Sequence, residues 1–118
     1  MNIPGVHLTQ IGNTEFLLEP LRSLSIGNRG GLIEGIVERL LRAGATRLYY
    51  DLSKQAIIDP VYYDWLNQLA RIVATINVKM VCIHMQPTAA FALVQFECAR
   101  PAFETALDIS DWQDSAHK

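Results

Sequence analysis

The sequence predicts an α/β fold: a mostly parallel sheet of about five strands with helices packed mainly on one face. Two observations predict it. Short β-prone segments alternate with amphipathic segments of helical length along the chain. A helix between two strands allows the second strand to run parallel to the first, so this alternation favours crossover connections. The whole chain, residues 1–118, is interpreted as a single domain because its length leaves no room for two independent cores.

The first elements are a predicted hairpin and a helix. Val6–Ile11 alternates between apolar and polar residues, and Phe16–Leu18 follows a Gly12-Asn13 turn signal. A polar, glycine-rich stretch over residues 20–31 comes next. Apolar residues then recur at helical spacing over residues 32–41, and Gly44 marks the predicted end of the helix.

The centre of the chain predicts a strand followed by a long helix. Leu48–Leu52 is compact and β-prone, which is typical of a central strand. Asp59 and Pro60 predict a helix start, since a carboxylate can accept hydrogen bonds from the first amides and the proline ring has a helical φ. The apolar stripe of this helix has steps of three and four and consists of Tyr62, Trp65, Leu66, Leu69, Ile72, Val73 and Ile76.

The last third of the chain predicts two more strands. Val78–His84 reads as a second buried strand, and Phe103–Leu107 as a short final one. Between them, Pro87 opens a short helix predicted over Thr88–Ala99, with Phe91, Val94 and Cys98 as its candidate inward residues. The polar tail over residues 108–118 is expected to add at most a frayed helix.

Composition excludes several classes of protein. Half of the residues are hydrophobic, which excludes intrinsic disorder, and ten basic against twelve acidic residues leave a net charge of −2. Nucleic acids and anionic membranes are therefore not expected as partners. No apolar run reaches the roughly 20 residues that span a bilayer, and the N-terminus lacks a signal-peptide pattern, so a cytoplasmic location is expected. Two cysteines are too few for a disulfide scaffold.

Two patterns suggest ligands, and each has a plainer interpretation. Gly27–Gly31 precedes a helix and could cradle a phosphate, but it lacks the spacing of known phosphate-binding motifs, so a connecting loop is favoured. Cys82 and His84 lie two apart on a predicted strand, which would point them to one face, and Cys98 could approach them. No metal-binding spacing is present, so core packing is favoured and neither a metal nor a cofactor is expected.

The acidic and aromatic residues around the second helix suggest either catalysis or binding. Asp51, Asp59 and Asp64 lie near the carboxyl end of the central strand, where ligands dock on open α/β sheets. No histidine is expected beside them, and helix capping explains Asp59, so enzymatic use is not favoured. Tyr62 and Trp65 fit the core stripe, which leaves Tyr63 as the aromatic residue expected to be exposed.

The order of elements and several local strings resemble the STAS family, the sulphate-transporter and anti-sigma-factor-antagonist domains. The resemblance covers nearly the whole chain. It depends on Tyr49–Ser53 followed by Ile57–Asp59, and on Val78–Val81 followed by Met85–Ala90. Together with the closing Glu104–Asp108, the Gln-Pro start of the third helix is most similar to the small antagonist subunit of the bacterial stressosome.

This resemblance implies a protein that binds other proteins and catalyses no reaction. Family members typically bind a serine/threonine switch kinase or an anti-sigma factor, and the stressosome likeness implies self-association into a large scaffold with related domains. The family's phosphoacceptor follows the aspartate, and here that position is Pro60, which has no hydroxyl. The surface should therefore stay in its unphosphorylated state, with Ser53 as the remaining loop hydroxyl that a kinase could modify.

The predicted partner-binding surface is the loop and helix start after the central strand. Its residues are Ser53, Lys54, Gln55, Asp59, Pro60, Tyr63 and Asp64. The alternative function is a STAS domain that binds a nucleotide or another anion through Gly27–Gly31 and helix N-termini. Binding of GTP, ATP or sulphate would distinguish the two.

Overall fold

The computed structural model describes residues 3–94 and 101–109 of the chain. Its elements follow in the order β1 (Val6–Gln10), β2 (Glu15–Pro20), α1 (Arg29–Arg42), β3 (Arg47–Asp51), α2 (Pro60–Ala74), β4 (Lys79–Ile83), α3 (Pro87–Val94) and β5 (Glu104–Ala106).

The strands form one five-stranded sheet in the order β1-β2-β3-β4-β5. Among the described strands, only β1 and β2 pair antiparallel, as the predicted hairpin, and all later neighbours pair in parallel. Each parallel strand is added on the same side of the preceding one. Crossovers between parallel strands are almost always right-handed, so strand addition in a constant direction brings the intervening helices to one face. Buried residues of α1, α2 and α3 indeed belong to one core cluster, which agrees with the predicted architecture.

The main core lies between that face of the sheet and the helices. It is built from alternate strand residues, among them Leu48 and Tyr50 of β3, against the buried stripes of α1 and α2. Its helical members are Leu32, Ile36, Leu40, Trp65, Leu66, Leu69, Ala70 and Val73, together with Ala89 of α3. The buried residues of both helices follow the predicted spacing. Gly44 follows the C-cap of α1 with a φ of +63°, as expected of a glycine that terminates a helix.

The opposite face of the sheet carries a second, smaller cluster. Tyr49, Val81 and Ile83 form it, and Ile109, which follows β5, packs against them. Parallel pairing places Tyr49 beside Val81 and Asp51 beside Ile83. This register brings the ends of β3 and β4 level with each other, and the chain segments that leave them meet.

The third helix differs from the prediction. Phe91 and Val94 are 69% and 79% exposed, whereas Ala89 is buried and Leu93 is packed against the core. Residues 89 and 93 are one helical turn apart, so the phase of α3 places Phe91 and Val94 on its outer side. The remainder of the predicted helix, with Cys98, and the tail beyond residue 109 lie outside the described residues.

Candidate docking site

The loop between β3 and α2 is held by the segment that follows β4. Gln86 donates from Nε2 to the backbone oxygen of Ser53 at 2.6 Å, and the Thr88 hydroxyl donates to the backbone oxygen of Ala56. His84 Nδ1 lies 3.1 Å from Asp51 Oδ1. Two side chains from this segment therefore hold backbone oxygens of the loop, and a third contacts the Asp51 side chain at the end of β3.

His84 itself is set by an unusual backbone conformation. It has φ +58°, and its amide donates to the backbone oxygen of Leu107 at 3.1 Å. The residue lies just after β4 and is exposed, whereas Cys82 is buried in the core. The expectation that Cys82 and His84 share a face is therefore wrong, because the left-handed turn at His84 ends the alternation of the strand. Among the described residues, no three histidine, cysteine or acidic side chains could hold a metal ion together.

Asp51 is the acceptor at the centre of this arrangement. Its Oδ1 accepts from the Ser53 amide at 2.9 Å and lies beside His84. Partial burial raises the pKa of Asp51, but the hydrogen bonds from Ser53 and His84 outweigh burial and bring the pKa below its ordinary value of 3.8. The expectation that no histidine accompanies the acidic residues is wrong at this position.

The start of α2 has the predicted capping geometry. Asp59 Oδ1 accepts from the Tyr62 amide at 2.8 Å, and Pro60 occupies the first helical turn. A proline there costs no hydrogen bond, since the first amides of a helix have no partner within it. Both Asp59 and Pro60 are exposed. The helix start is thus rigid in its backbone while its side chains face solvent.

An arginine from the glycine-rich stretch links α1 to α2. Arg29 Nη1 donates to Asp64 Oδ2 at 2.9 Å and to Gln68 Oε1 at 2.6 Å, and its Nε donates to the backbone oxygen of Ile26. The expectation that Gly27–Gly31 forms a connecting loop is therefore only partly right, because α1 already begins at Arg29 and includes Gly30 and Gly31. Local sequence patterns do not reveal this contact, because Arg29 and Asp64 are far apart in the chain.

A buried hydrogen-bonded network lies beneath the helix start. Trp65 donates from Nε1 to the Tyr50 hydroxyl at 2.9 Å, and the hydroxyls of Tyr50 and Tyr62 are 2.7 Å apart. Burial raises the pKa of Tyr50 and raises that of Tyr62 to about 12. Trp65 has no exposed surface, as its place in the apolar stripe predicted.

Tyr63 is half-buried, in contrast to its predicted exposure. Its ring packs edge-on against Phe103, with 6.2 Å between the ring centroids. The neighbouring Asn67 donates from Nδ2 to the Tyr63 backbone oxygen at 3.1 Å and accepts from the Ala102 amide at 2.7 Å. This side of α2 therefore receives the segment that leads into β5, and that segment covers part of Tyr63.

Most of the other predicted binding residues are exposed around the same loop and helix start. Ser53, Lys54, Asp59, Pro60 and Asp64 are exposed, and Gln55 is half-buried. Two apolar side chains that the sequence analysis did not select accompany them. Ile57 is 71% exposed and lies two residues before Asp59, and Val61 is 56% exposed and directly follows Pro60. Their position beside the predicted helix start could have identified them from the sequence as surface residues of this site.

Three solved structures share the fold. The NMR structure of the protein TM1081 has a TM-score of 0.73 at 15% identity and covers 92% of this chain and 86% of that chain. RsbS of Moorella thermoacetica, with a serine-to-glutamate substitution, has a TM-score of 0.73 at 15% identity and covers 93% and 95%. A structure described as "Molecular architecture of the stressosome, a signal integration and transduction hub" has a TM-score of 0.63 at 15% identity and covers 94% and 96%.

These likenesses establish the fold. The chain has the STAS-like α/β fold that its sequence predicted, over nearly its whole length. No protein-family model and no curated protein matches the sequence. Within the described residues, none of the helices combines the length and the apolar character that crossing a membrane requires.

Proposed function

We propose that this protein is a non-catalytic signalling module of the STAS family that acts in the cytoplasm by binding other proteins. In this proposal it serves as an anti-sigma-factor antagonist or as a scaffold subunit of a stressosome-like assembly. The shared fold with RsbS and with a stressosome component supports the proposal. The observation that carries it is the exposed, proline-led start of α2 beside a loop whose backbone is fixed.

The docking face is defined here as the predicted residues with two apolar additions. It consists of Ser53, Lys54, Gln55, Ile57, Asp59, Pro60, Val61, Tyr63 and Asp64. Exposed apolar side chains among charged ones suit a protein contact, because a typical interface has an apolar centre and a polar rim. A fixed backbone lowers the entropy that is lost when a partner binds.

Pro60 determines the proposed charge state of this face. A phosphorylated hydroxyl at the first turn would add about −1.5 to −2 charges next to Asp59. Proline carries no hydroxyl, so this covalent change is absent at position 60. The docking face would then remain available for binding at all times, and its occupancy would depend on the concentration of its partners.

Glutamate at position 60 tests the role of this surface. Pro60→Glu introduces a charge at a helix N-terminus, which the helix dipole favours, so the fold should persist. We expect the wild-type chain, mixed with purified STAS proteins and the switch kinase of the same organism, to form an assembly by light scattering. Pro60→Glu should weaken that association by at least about tenfold, because it places a second negative charge beside Asp59 in the interface.

Arg71→Glu is the matched control, because Arg71 is exposed near the other end of α2. It should leave the association unchanged. A chain that stays monomeric in every mixture would contradict the proposed function. Equal losses in the two variants would remove the docking face from it.

Incubation with the same kinase tests whether the docking face keeps a single charge state. Intact-mass measurement should show no added phosphate on the wild-type chain, and Pro60→Ser should gain one. Phosphate on Ser53 of the wild-type chain would contradict the proposal, because that hydroxyl lies on the docking face.

A further inference from the structure

A cleft of about 360 Å³ adjoins the docking face. The turn after β2 forms one wall, with Pro20, Leu21 and Arg22, and the loop after β3 forms the other, with Lys54 and Gln55. Two of the five lining residues thus belong to the docking face itself. The cleft opens at the carboxyl ends of β2 and β3, where open α/β sheets commonly bind their ligands.

The charges of this cleft are of one sign. Arg22 and Lys54 face it from opposite walls, and no acidic residue of the described ranges lines it. Elsewhere among the described residues, Arg29, Arg42 and Arg47 each pair with a carboxylate. Neither Arg22 nor Lys54 has such a partner within the described ranges. Asp51 is the nearest acidic residue in sequence to Lys54. Its carboxylate instead accepts a hydrogen bond from the Ser53 amide and contacts His84.

Beside Arg22, the wall formed by the turn after β2 is apolar. Leu21 is 45% exposed beside the buried Pro20. Two cations and an exposed leucine in one cleft complement a chain segment that alternates carboxylates with an apolar side chain. The loop wall is held in place, because the Gln55 amide donates to the Leu52 backbone oxygen at 3.0 Å.

We infer that the cleft receives an acidic segment of the partner protein, with carboxylates between Arg22 and Lys54 and an apolar side chain against Leu21. This inference rests on the proposed function, since it names the chemistry of the partner at the same surface. Cations on the rim of an interface mainly raise association rates and specificity. The two charges would therefore select an acidic partner, while Ile57 and Val61 supply apolar contact.

A peptide titration tests the inference on the full chain. The probe is the acetylated and amidated peptide Leu-Glu-Asp-Leu-Glu-Asp, followed through amide resonances of the isotopically labelled protein. We expect the largest shifts at Leu21, Arg22, Lys54 and Gln55. The uncharged peptide Leu-Gln-Asn-Leu-Gln-Asn should bind at least about tenfold more weakly, and added salt should weaken the acidic peptide.

The variants separate charge from fold. Arg22→Gln combined with Lys54→Gln should lose at least about tenfold in peptide affinity. Arg71→Gln removes an exposed positive charge distant from the cleft and should leave the affinity unchanged. Both variants should keep wild-type spectra away from the substituted positions, because all three side chains are exposed.

Three outcomes would overturn the inference. Equal binding of the charged and uncharged peptides would exclude charge recognition, and shifts confined to other surfaces would exclude the cleft. Shifts at the cleft with inorganic phosphate or ATP, but not with the peptide, would assign it to a small anion. None of these outcomes decides the proposed function, because the Pro60→Glu assembly experiment measures association without altering Arg22 or Lys54.

Discussion

His84 Nδ1 lies 3.1 Å from Asp51 Oδ1 across the ends of two neighbouring parallel strands. The contact closes a link between the segments that follow these strands, because the same aspartate oxygen also accepts from the Ser53 amide. The loop that carries most of the docking face is therefore anchored at its first residue by side-chain chemistry, and beyond it by Gln86 and Thr88.

Asp51→Asn should change the acid stability of the protein. The pKa of Asp51 is lowered in the folded state, so its stabilising contribution is complete above pH 3.8 and is lost as the pH falls through the folded-state pKa. In urea unfolding at several pH values, the wild type should lose more stability below pH about 4 than the variant does.

At neutral pH, the same variant should be less stable by about 1.5–3 kcal/mol, the usual range for a hydrogen bond to a charged group. Glu38→Gln is the control, because Glu38 forms a largely exposed ion pair with Arg42. Identical pH profiles for Asp51→Asn and the wild type would show that the carboxylate contributes nothing to the loop.

Tyr50→Phe should destabilise the fold by about 1–3 kcal/mol, the cost of leaving buried polar groups unsatisfied. The Tyr50 hydroxyl is the acceptor for Trp65 Nε1 and the partner of the Tyr62 hydroxyl, so its removal affects two groups. Tyr62→Phe should cost less, since Trp65 keeps its acceptor. Chemical denaturation followed by circular dichroism measures both, and a larger loss for Tyr62→Phe would contradict this assignment of the network.

Alkaline pH should unfold the protein through the same network. Tyr62 has a folded-state pKa of about 12, above the ordinary value of 10.0. Because its pKa is higher in the folded state, the contribution of Tyr62 to stability is complete below the unfolded-state pKa. That contribution is lost as the pH rises through the folded-state pKa. The free energy of unfolding should therefore fall between pH 10 and about 12, and Tyr62→Phe should make this fall shallower.

Asn67→Ala should loosen the segment that leads into β5. Its side chain accepts from the Ala102 amide and donates to the Tyr63 backbone oxygen. Hydrogen exchange of the amides of Ala102 and Phe103 should accelerate, with a loss of about 1 kcal/mol in stability. Gln68→Ala is the matched control, because the neighbouring Gln68 contacts Arg29 of α1. Faster exchange at Ala102 in the control would show a general effect of truncating α2.

Local patterns account for what the sequence predicted correctly. The Asp59-Pro60 helix start, the stop at Gly44 and the stripe of α2 depend on residues a few positions apart, and the structure confirms each. Phe91 and Val94 were wrongly placed inward, because α3 is short and the phase of such a helix depends on tertiary contacts.

The contacts of the candidate site were harder to predict. The Asp51–His84 and Arg29–Asp64 pairs join residues that only the register of the sheet and the packing of two helices bring together. A parallel pairing that sets Asp51 level with Ile83 would have placed His84 next to the carboxylate. The sequence showed which strands exist, but not their alignment to within one residue.

The strand order has a consequence for how the chain assembles. The five described strands pair in the order of the sequence, so no pairing among them waits for a distant part of the polypeptide. During synthesis, the hairpin, α1 and β3 can associate before the ribosome has released β4. The anchoring residues His84, Gln86 and Thr88 emerge later. The loop after β3 would therefore acquire its final conformation only after this later segment has joined the sheet.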